Sequence, residues 1–246
     1  YYNADSGEQK VFIKTASIGE LEKHFTEAVE RYYDWAYAAC EWIALRNSTI
    51  RELGFPYDKY RKNQRKLAVA VYKTITASKR VFIQAPTGTG KTISALFPAV
   101  KALGEGNTDK IFYLTAKTIT RQAALDAIGK MKCKGLRIKA IVLTAKDKIC
   151  FKEESDCNPE YCEYAKGYYD KVNAVLKEVF EREDIITRGL VEEYAERHMV
   201  CPFELSLDLS YWTDCIICDY NYVFDPRVNL RRFFAETERN YVLLID

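Results

Sequence analysis

The segment Ala85-Pro86-Thr87-Gly88-Thr89-Gly90-Lys91-Thr92 decides how this chain is read. It lies between a short apolar run, Val81 to Gln84, which predicts a buried strand, and a stretch of helical periodicity from Lys91 to Leu103. A glycine-rich loop that follows a strand and opens a helix is the setting for holding phosphate. Gly88 and Gly90 let backbone N–H groups converge on anionic oxygens, and the helix turns its positive end toward them. In such a loop Lys91 reaches the β- and γ-phosphates and the Thr92 hydroxyl holds Mg²⁺, so the eight residues form a candidate site for ATP and Mg²⁺. The general pattern starts with glycine; this chain has Ala85 there and does not meet its strict form.

Working outward, strands and helices alternate. Gly104 to Asp109 is a polar loop; strands are expected at Ile111–Leu114 and Ile138–Leu143, with a helix across Thr118–Met131 between them. This alternation predicts an α/β domain with a parallel sheet and crossover helices. It stops at Cys150 and resumes after Cys201, with two more apolar strands at Cys215–Cys218 and Tyr241–Ile245. Ahead of the loop, Ser17 to Arg46 carries Leu21, Phe25, Val29, Tyr32, Trp35, Ala39, Trp42 and Ile43 at helical spacing. Ser17 and Glu20 fit a capping box at its start. Further back, Tyr1-Tyr2 and Val11-Phe12-Ile13 flank a turn-rich segment and read as a β-hairpin, which needs a sheet to be stable. The expected organisation is an N-terminal hairpin and helix over 1–52, an α/β lobe over 53–149, an insertion over 150–201, and the return of the lobe over 202–246.

Cys150, Cys157, Cys162 and Cys201 all fall in the segment that interrupts the alternation, separated by six, four and thirty-eight residues. Four thiolates suit either a tetrahedral zinc or a cubane iron-sulfur cluster, and the spacing does not separate the two. Zinc knuckles usually carry a two-residue gap, which none of these intervals has. His198 is a possible substitute ligand, although a surface histidine is the simpler reading. Cys215 and Cys218 frame Ile216-Ile217 in an apolar strand and read as core thiols.

The chain holds 37 basic and 35 acidic residues, a balance that argues against coating duplex nucleic acid by bulk electrostatics. Charge is unevenly spread: Lys110 to Ile149 carries ten basic residues against two acidic ones. No apolar stretch approaches the roughly 20 residues needed to cross a bilayer, and the first residues lack a secretory pattern. No membrane role is expected, and a cytoplasmic location is.

Taken in order, the loop Ala85 to Thr92, the four-cysteine insertion and Cys218-Asp219-Tyr220-Asn221-Tyr222 resemble the XPD/DinG family of superfamily 2 helicases. The resemblance covers about Phe55 to Asp246. It implies a RecA-like P-loop NTPase sheet with an inserted, mainly helical 4Fe-4S domain held by the four cysteines. Ala85 in place of glycine is common in that branch. Phe55 to Gln64 is similar to the adenine-recognising motif, with Gln64 as the base-reading side chain. Thr115, Lys117, Thr118 and Arg121 fall on or beside the segment that grips the DNA backbone, and Asn221 on a second strand-end motif beside the track. Tyr241 to Asp246 looks like the strand of the Asp-Glu-Ala-His box, with Asp246 as the Mg²⁺-binding carboxylate. The water-orienting glutamate and the second motor lobe would lie beyond it. Tyr1 to Gly7 with the following helix is similar to the tail of a nuclease-like domain found ahead of some bacterial members, which implies a nucleoid-associated protein.

The implied function is an ATP-dependent DNA helicase moving 5′ to 3′ on single-stranded DNA or at DNA junctions, with this stretch alone inactive. Two rivals stand beside it. A redox- or metal-sensing nucleic-acid-binding module on a degenerate ATPase would tolerate Lys91→Ala. An RNA helicase would be separated by matched DNA and RNA duplexes.

Overall fold

The computed structural model describes residues 6–86, 88–154, 156–228, 230–234 and 239–246. The chain divides into two compact units, residues 1–43 and 44–246. In the first, the expected hairpin falls partly on residues 1–5, outside the described residues; Val11, Phe12 and Ile13 are exposed and form no strand. Helix α1 (Ile18–Glu52) opens with the expected capping box. The Glu20 carboxylate accepts from the Ser17 amide at 2.7 Å, and the Ser17 hydroxyl accepts from the Glu20 amide at 3.3 Å. Leu21, Phe25, Val29 and Tyr32 are exposed along it.

The second unit begins within α1, at Ala44. Its elements follow as α2 (Gln64–Thr76), α3 (Lys91–Gly104), β1 (Lys110–Leu114), α4 (Thr118–Lys132), β2 (Ala140–Val142) and α5 (Lys146–Ile149). Then come α6 (Tyr168–Arg182), β3 (Ile185–Ile186), α7 (Arg188–His198), α8 (Pro202–Tyr211), β4 (Cys215–Cys218), α9 (Asn221–Phe224), α10 (Arg231–Phe234) and β5 (Tyr241–Ile245). The strands form one sheet in the order β3-β2-β4-β1-β5, and every pairing is parallel. The strand β3 lies inside the range 150–201, so that segment contributes to the sheet edge as well as carrying helices.

A parallel sheet covered on both faces calls for strands that are apolar throughout, and β1 and β4 are buried at every position. Side chains alternate between the faces. Ile111, Tyr113, Cys215 and Ile217 join Leu96, Leu103, Ile128 and Met131 in one core cluster. Phe112 meets Phe233, Phe234 and Tyr241 in an aromatic group. The end of α1 closes the first core. Ile50 is buried, and a Cβ built on Gly104 would stand 2.3 Å from its Cγ2, so only glycine permits this approach. The Lys101 ammonium donates to the Ile50 and Arg51 carbonyls at 2.6 and 3.1 Å, supplying the last turn of α1 with a cation. Arg46 donates to Asp214 at 2.5 Å, and both side chains are buried. Lys110 is also buried, and its ammonium donates to the carbonyls of Ser210, Tyr211 and Thr213 around the end of α8. Burial lowers its pKa to about 8.

One expected strand is corrected. Val81 to Gln84 forms no strand and is not buried: Phe82 is 98% exposed, and Val81 and Ile83 are exposed as well. Apolar composition alone does not make a strand, because a strand needs a ladder partner. Strand β5 ends the sheet, and a cavity of about 1010 Å³ has Val81 to Ile83 and β5 in its wall. No helix among the described residues is long and apolar enough to cross a membrane.

Candidate nucleotide site, nucleic-acid face and cysteine cavity

The glycine loop meets α3 as its sequence requires. Gly88 and Gly90 have φ of +79° and +77°, the left-handed region that favours glycine, and Gly90 is the residue that caps α3. Thr87 lies outside the described residues. The Thr89 hydroxyl donates to the Pro86 carbonyl at 2.8 Å, and the Lys91 ammonium to the Ala85 carbonyl at 3.3 Å. The lysine is therefore folded back over the loop it would serve. Gln64 packs beneath the loop: it is 5% exposed, its Oε1 accepts from the Arg61 amide at 2.9 Å, and a Cβ on Gly90 would stand 2.4 Å from its Nε2. The Arg61 guanidinium donates to the Gly88 carbonyl at 2.5 Å.

Asp246 follows β5, and its amide donates to the Leu114 carbonyl at 3.0 Å. The Tyr113 hydroxyl donates to Asp246 Oδ2 at 2.6 Å, and Thr92 lines the same cavity. Burial, then the bond to Asp246, raises the phenol well above its ordinary value, so it stays a donor. Lys91, Thr92, Tyr113 and Asp246 all line the large cavity that runs along β5, and Asp246 marks its carboxyl end, the end of a parallel sheet at which open α/β folds bind ligands. The structure thus brings Lys91, Thr92 and Asp246 together from segments far apart in sequence. Tyr113 and Arg61 are the contacts that sequence reasoning missed. Tyr113 reads as one more apolar strand residue, and only its hydroxyl, which needs a partner when buried, signals more.

Thr115, Lys117, Thr118, Arg121 and Asn221 gather at the same end of the sheet, where β1 and β4 are neighbours. Lys117 precedes α4, which starts at Thr118, and Asn221 starts α9. Lys117 and Asn221 are exposed. Thr115 is buried, with its hydroxyl against that of Thr120. Arg121 lies 3.7 Å from Asp219, joining the two strand ends. Tyr222 donates to the Thr144 carbonyl at 3.2 Å and burial pushes its phenol up to about 12.

The four cysteines of the insertion all line a second cavity, of about 240 Å³. Cys150 follows α5, Cys157 and Cys162 lie in the next loop, and Cys201 caps α8. Burial pushes the Cys201 thiol up, against donation from the backbone amides of Glu204 and Phe203. Hydrogen bonding to Cys157 raises the Lys146 ammonium. Among the described residues, no three His, Cys, Asp or Glu side chains converge closely enough for a single metal ion. His198 sits 3.0 Å from Glu178 and is absent from the residues lining the cavity. Cys215 and Cys218 are core thiols as expected, and burial raises Cys215 to about 12.

A parallel α/β unit with a glycine loop opening a helix opposite an acidic strand end has the build of the P-loop class. Comparison with known proteins takes this further. A DEAD/DEAH box helicase profile matches residues 63–177, and the DEAD_2 profile matches residues 123–246. The chain belongs to the DEAD_2 family and is XPD/DinG-like among superfamily 2 helicases. The general transcription and DNA repair factor IIH helicase subunit XPD/RAD3 of Saccharomyces cerevisiae is 22% identical over 78% of this chain and 29% of its own length. Human regulator of telomere elongation helicase 1 is 25% identical over 75% of this chain and 19% of its own. A solved XPD helicase shares the fold at a TM-score of 0.52 and 20% identity, covering 77% of this chain and 33% of that one. A truncated XPD does so at 0.50 and 23%, covering 74% and 51%. The chain spans about a quarter of the length of the curated relatives it matches.

Proposed function

We propose that this chain is the ATP-binding part of the first motor lobe of an ATP-dependent DNA helicase. The observation that carries the reading is that Lys91, Thr92 and Asp246 line one cavity beside β5, with Asp246 following the carboxyl end of that strand in a parallel sheet. ATP would lay its phosphates on the amides from Gly88 to Lys91, with the Lys91 ammonium leaving the Ala85 carbonyl for the phosphates. Thr92 and Asp246 are the oxygen donors for Mg²⁺, a hard cation that takes few protein ligands beside phosphate and water. In this scheme Gln64, buried beneath the loop, reads adenine and supports the phosphate loop at once.

The strand of DNA would run over the exposed ends of β1 and β4, gripped by Lys117, Thr118, Arg121 and Asn221, with Thr115 bracing the turn from within. The sheet couples the two sites: β1 carries Thr115 at its end and pairs with β5, which carries Asp246. A 4Fe-4S cluster is the proposed occupant of the cysteine cavity. Four thiols on one cavity wall supply the sulfur donors such a cluster needs, and the family resemblance favours it over zinc. Cys150, Cys157, Cys162 and Cys201 would hold it, and it would rigidify the loops between α5 and α8. The limits 150–201 for the cluster insertion and 202–246 for the return of the lobe are kept, but the lobe starts at 44 rather than 53, because Ile50 of α1 lies in its core; residues 1–43 would be the tail of a nuclease-like domain. Movement 5′ to 3′, a place on the bacterial nucleoid and inactivity of this stretch alone complete the reading.

The test is Lys91→Ala in the full-length protein. The expected result is a fall of about 100-fold or more in DNA-stimulated ATP hydrolysis, with loss of strand separation on a DNA duplex. Unchanged unwinding in that variant, or preference for a matched RNA duplex, would sink the DNA-motor reading. For the metal, anaerobically purified protein is expected to absorb broadly in the visible and to contain iron and sulfide. A colourless, zinc-loaded sample would remove the cluster.

A further inference from the structure

The Mg²⁺-binding carboxylate of the proposed site is not left to itself. Tyr113 is 1% exposed in the middle of the sheet, its backbone paired with Ile217 on one side and Leu244 on the other. Its ring lies in the core with Leu96 and Ile217, so the position of its hydroxyl is fixed by packing against strands. That hydroxyl reaches Asp246 Oδ2 at 2.6 Å. One phenol oxygen therefore holds the carboxylate to which Mg²⁺ is assigned, in the same cavity wall as Thr92 at the start of α3.

We infer that Tyr113 is a positioning residue of the nucleotide site, which sets the direction of the Asp246 carboxylate so that it receives the Mg²⁺ of a bound nucleotide. The physical case is the difference between a wall and a clamp. Phenylalanine would fill the same space in β1, and the burial of the ring requires nothing more. A buried phenol must place its proton, and here the acceptor is a carboxylate, which makes the bond charge-assisted and short. Asp246 closes the chain's described sheet and is held otherwise by its backbone bond to Leu114, so the phenol is the side-chain contact that sets the direction of its carboxylate. Preorganising the carboxylate in this way removes reorganisation from the binding of the ion, and the effect falls on Mg²⁺-dependent affinity more than on the nucleotide itself.

This inference rests on the nucleotide-site reading, and the experiment separates the two. Binding of a fluorescent ATP analogue to the full-length protein is titrated with Mg²⁺ present and with Mg²⁺ chelated, for the unaltered protein and for Tyr113→Phe. The expected result is a roughly tenfold loss of the Mg²⁺-dependent affinity in the variant, with a much smaller change in chelated-state binding. Equal Mg²⁺ titrations in the two proteins would overturn the positioning role while leaving the nucleotide site intact. No binding by the unaltered protein would overturn the site and the inference together. Should Tyr113→Phe fail to fold, 3-fluorotyrosine placed at position 113 keeps ring and hydroxyl, and its ¹⁹F resonance replaces the comparison. It is expected to move on adding ADP with Mg²⁺ and to stay when ADP is added with chelator; a resonance indifferent to Mg²⁺ overturns the inference.

Discussion

Two glycines of the phosphate loop look interchangeable in sequence and differ in their surroundings. Both have positive φ, so alanine at either position is strained by about 1–2 kcal/mol. At Gly88 an added Cβ meets nothing within 4 Å, whereas at Gly90 it stands 2.4 Å from Gln64 Nε2. Gly90→Ala therefore also makes the Gln64 amide shift, which disturbs its bond from the Arg61 amide. The expected outcome is that Gly90→Ala weakens nucleotide binding and lowers the melting temperature clearly more than Gly88→Ala does. Equal effects in a paired thermal melt and binding titration would show that Gln64 gives way without cost. The loop itself was legible from its residues because a glycine, a lysine and a threonine at fixed spacing are local facts. The bond between Tyr113 and Asp246 was not, since the partners stand 133 positions apart and meet only through the register of β1 with β5. Nor was Arg61 on Gly88, because an arginine near a loop carries no periodic signature.

At the scale of elements, the helix starts and parallel strands follow from apolar period and capping chemistry, and four of the five strands that pair are among those read from the sequence. The fifth, β3, has two residues and no pattern to detect. It is held by Asp184 just before it. The Asp184 carbonyl accepts from the Ala140 amide at 2.8 Å, and its carboxylate sits among Lys132 at 2.7 Å, Arg137 at 3.4 Å and Lys139 at 3.7 Å. Burial raises this carboxyl, but the bond from Lys132 and the three cations outweigh it and the net shift is below the usual 3.8. A depressed folded value means that the ionised form stabilises the fold, fully above 3.8 and less as pH falls from there through the lower folded value. Asp184→Asn is expected to cost about 2 kcal/mol at neutral pH. In urea melts that difference should shrink as the pH is lowered past the usual carboxylate range. A difference that persists unchanged in acid would mean that the carboxylate charge is not its source.

For the whole molecule, the misread strand is the instructive case. Val81 to Gln84 has the composition of a buried strand, and the sequence holds no information about whether a neighbour is there to pair with it. The four cysteines show the converse: intervals of six, four and thirty-eight residues say nothing of distance, yet all four thiols face one cavity. The consequence of the open sheet edge is practical. Leu243 and Ile245 of β5 are 38% and 65% exposed, and Phe82 stands almost wholly in water across the gap. An unpaired apolar border of this kind is a template for another chain's backbone. These 246 residues, expressed by themselves, should therefore oligomerise as they are concentrated, which sedimentation velocity over a dilution series would reveal. Charging the border with Phe82→Lys and Ile245→Lys should restore a single slow species. If the unaltered chain sediments as a monomer at every dilution, the border is quieter than its composition promises, and crystallisation or screening would need no added partner to keep it in solution.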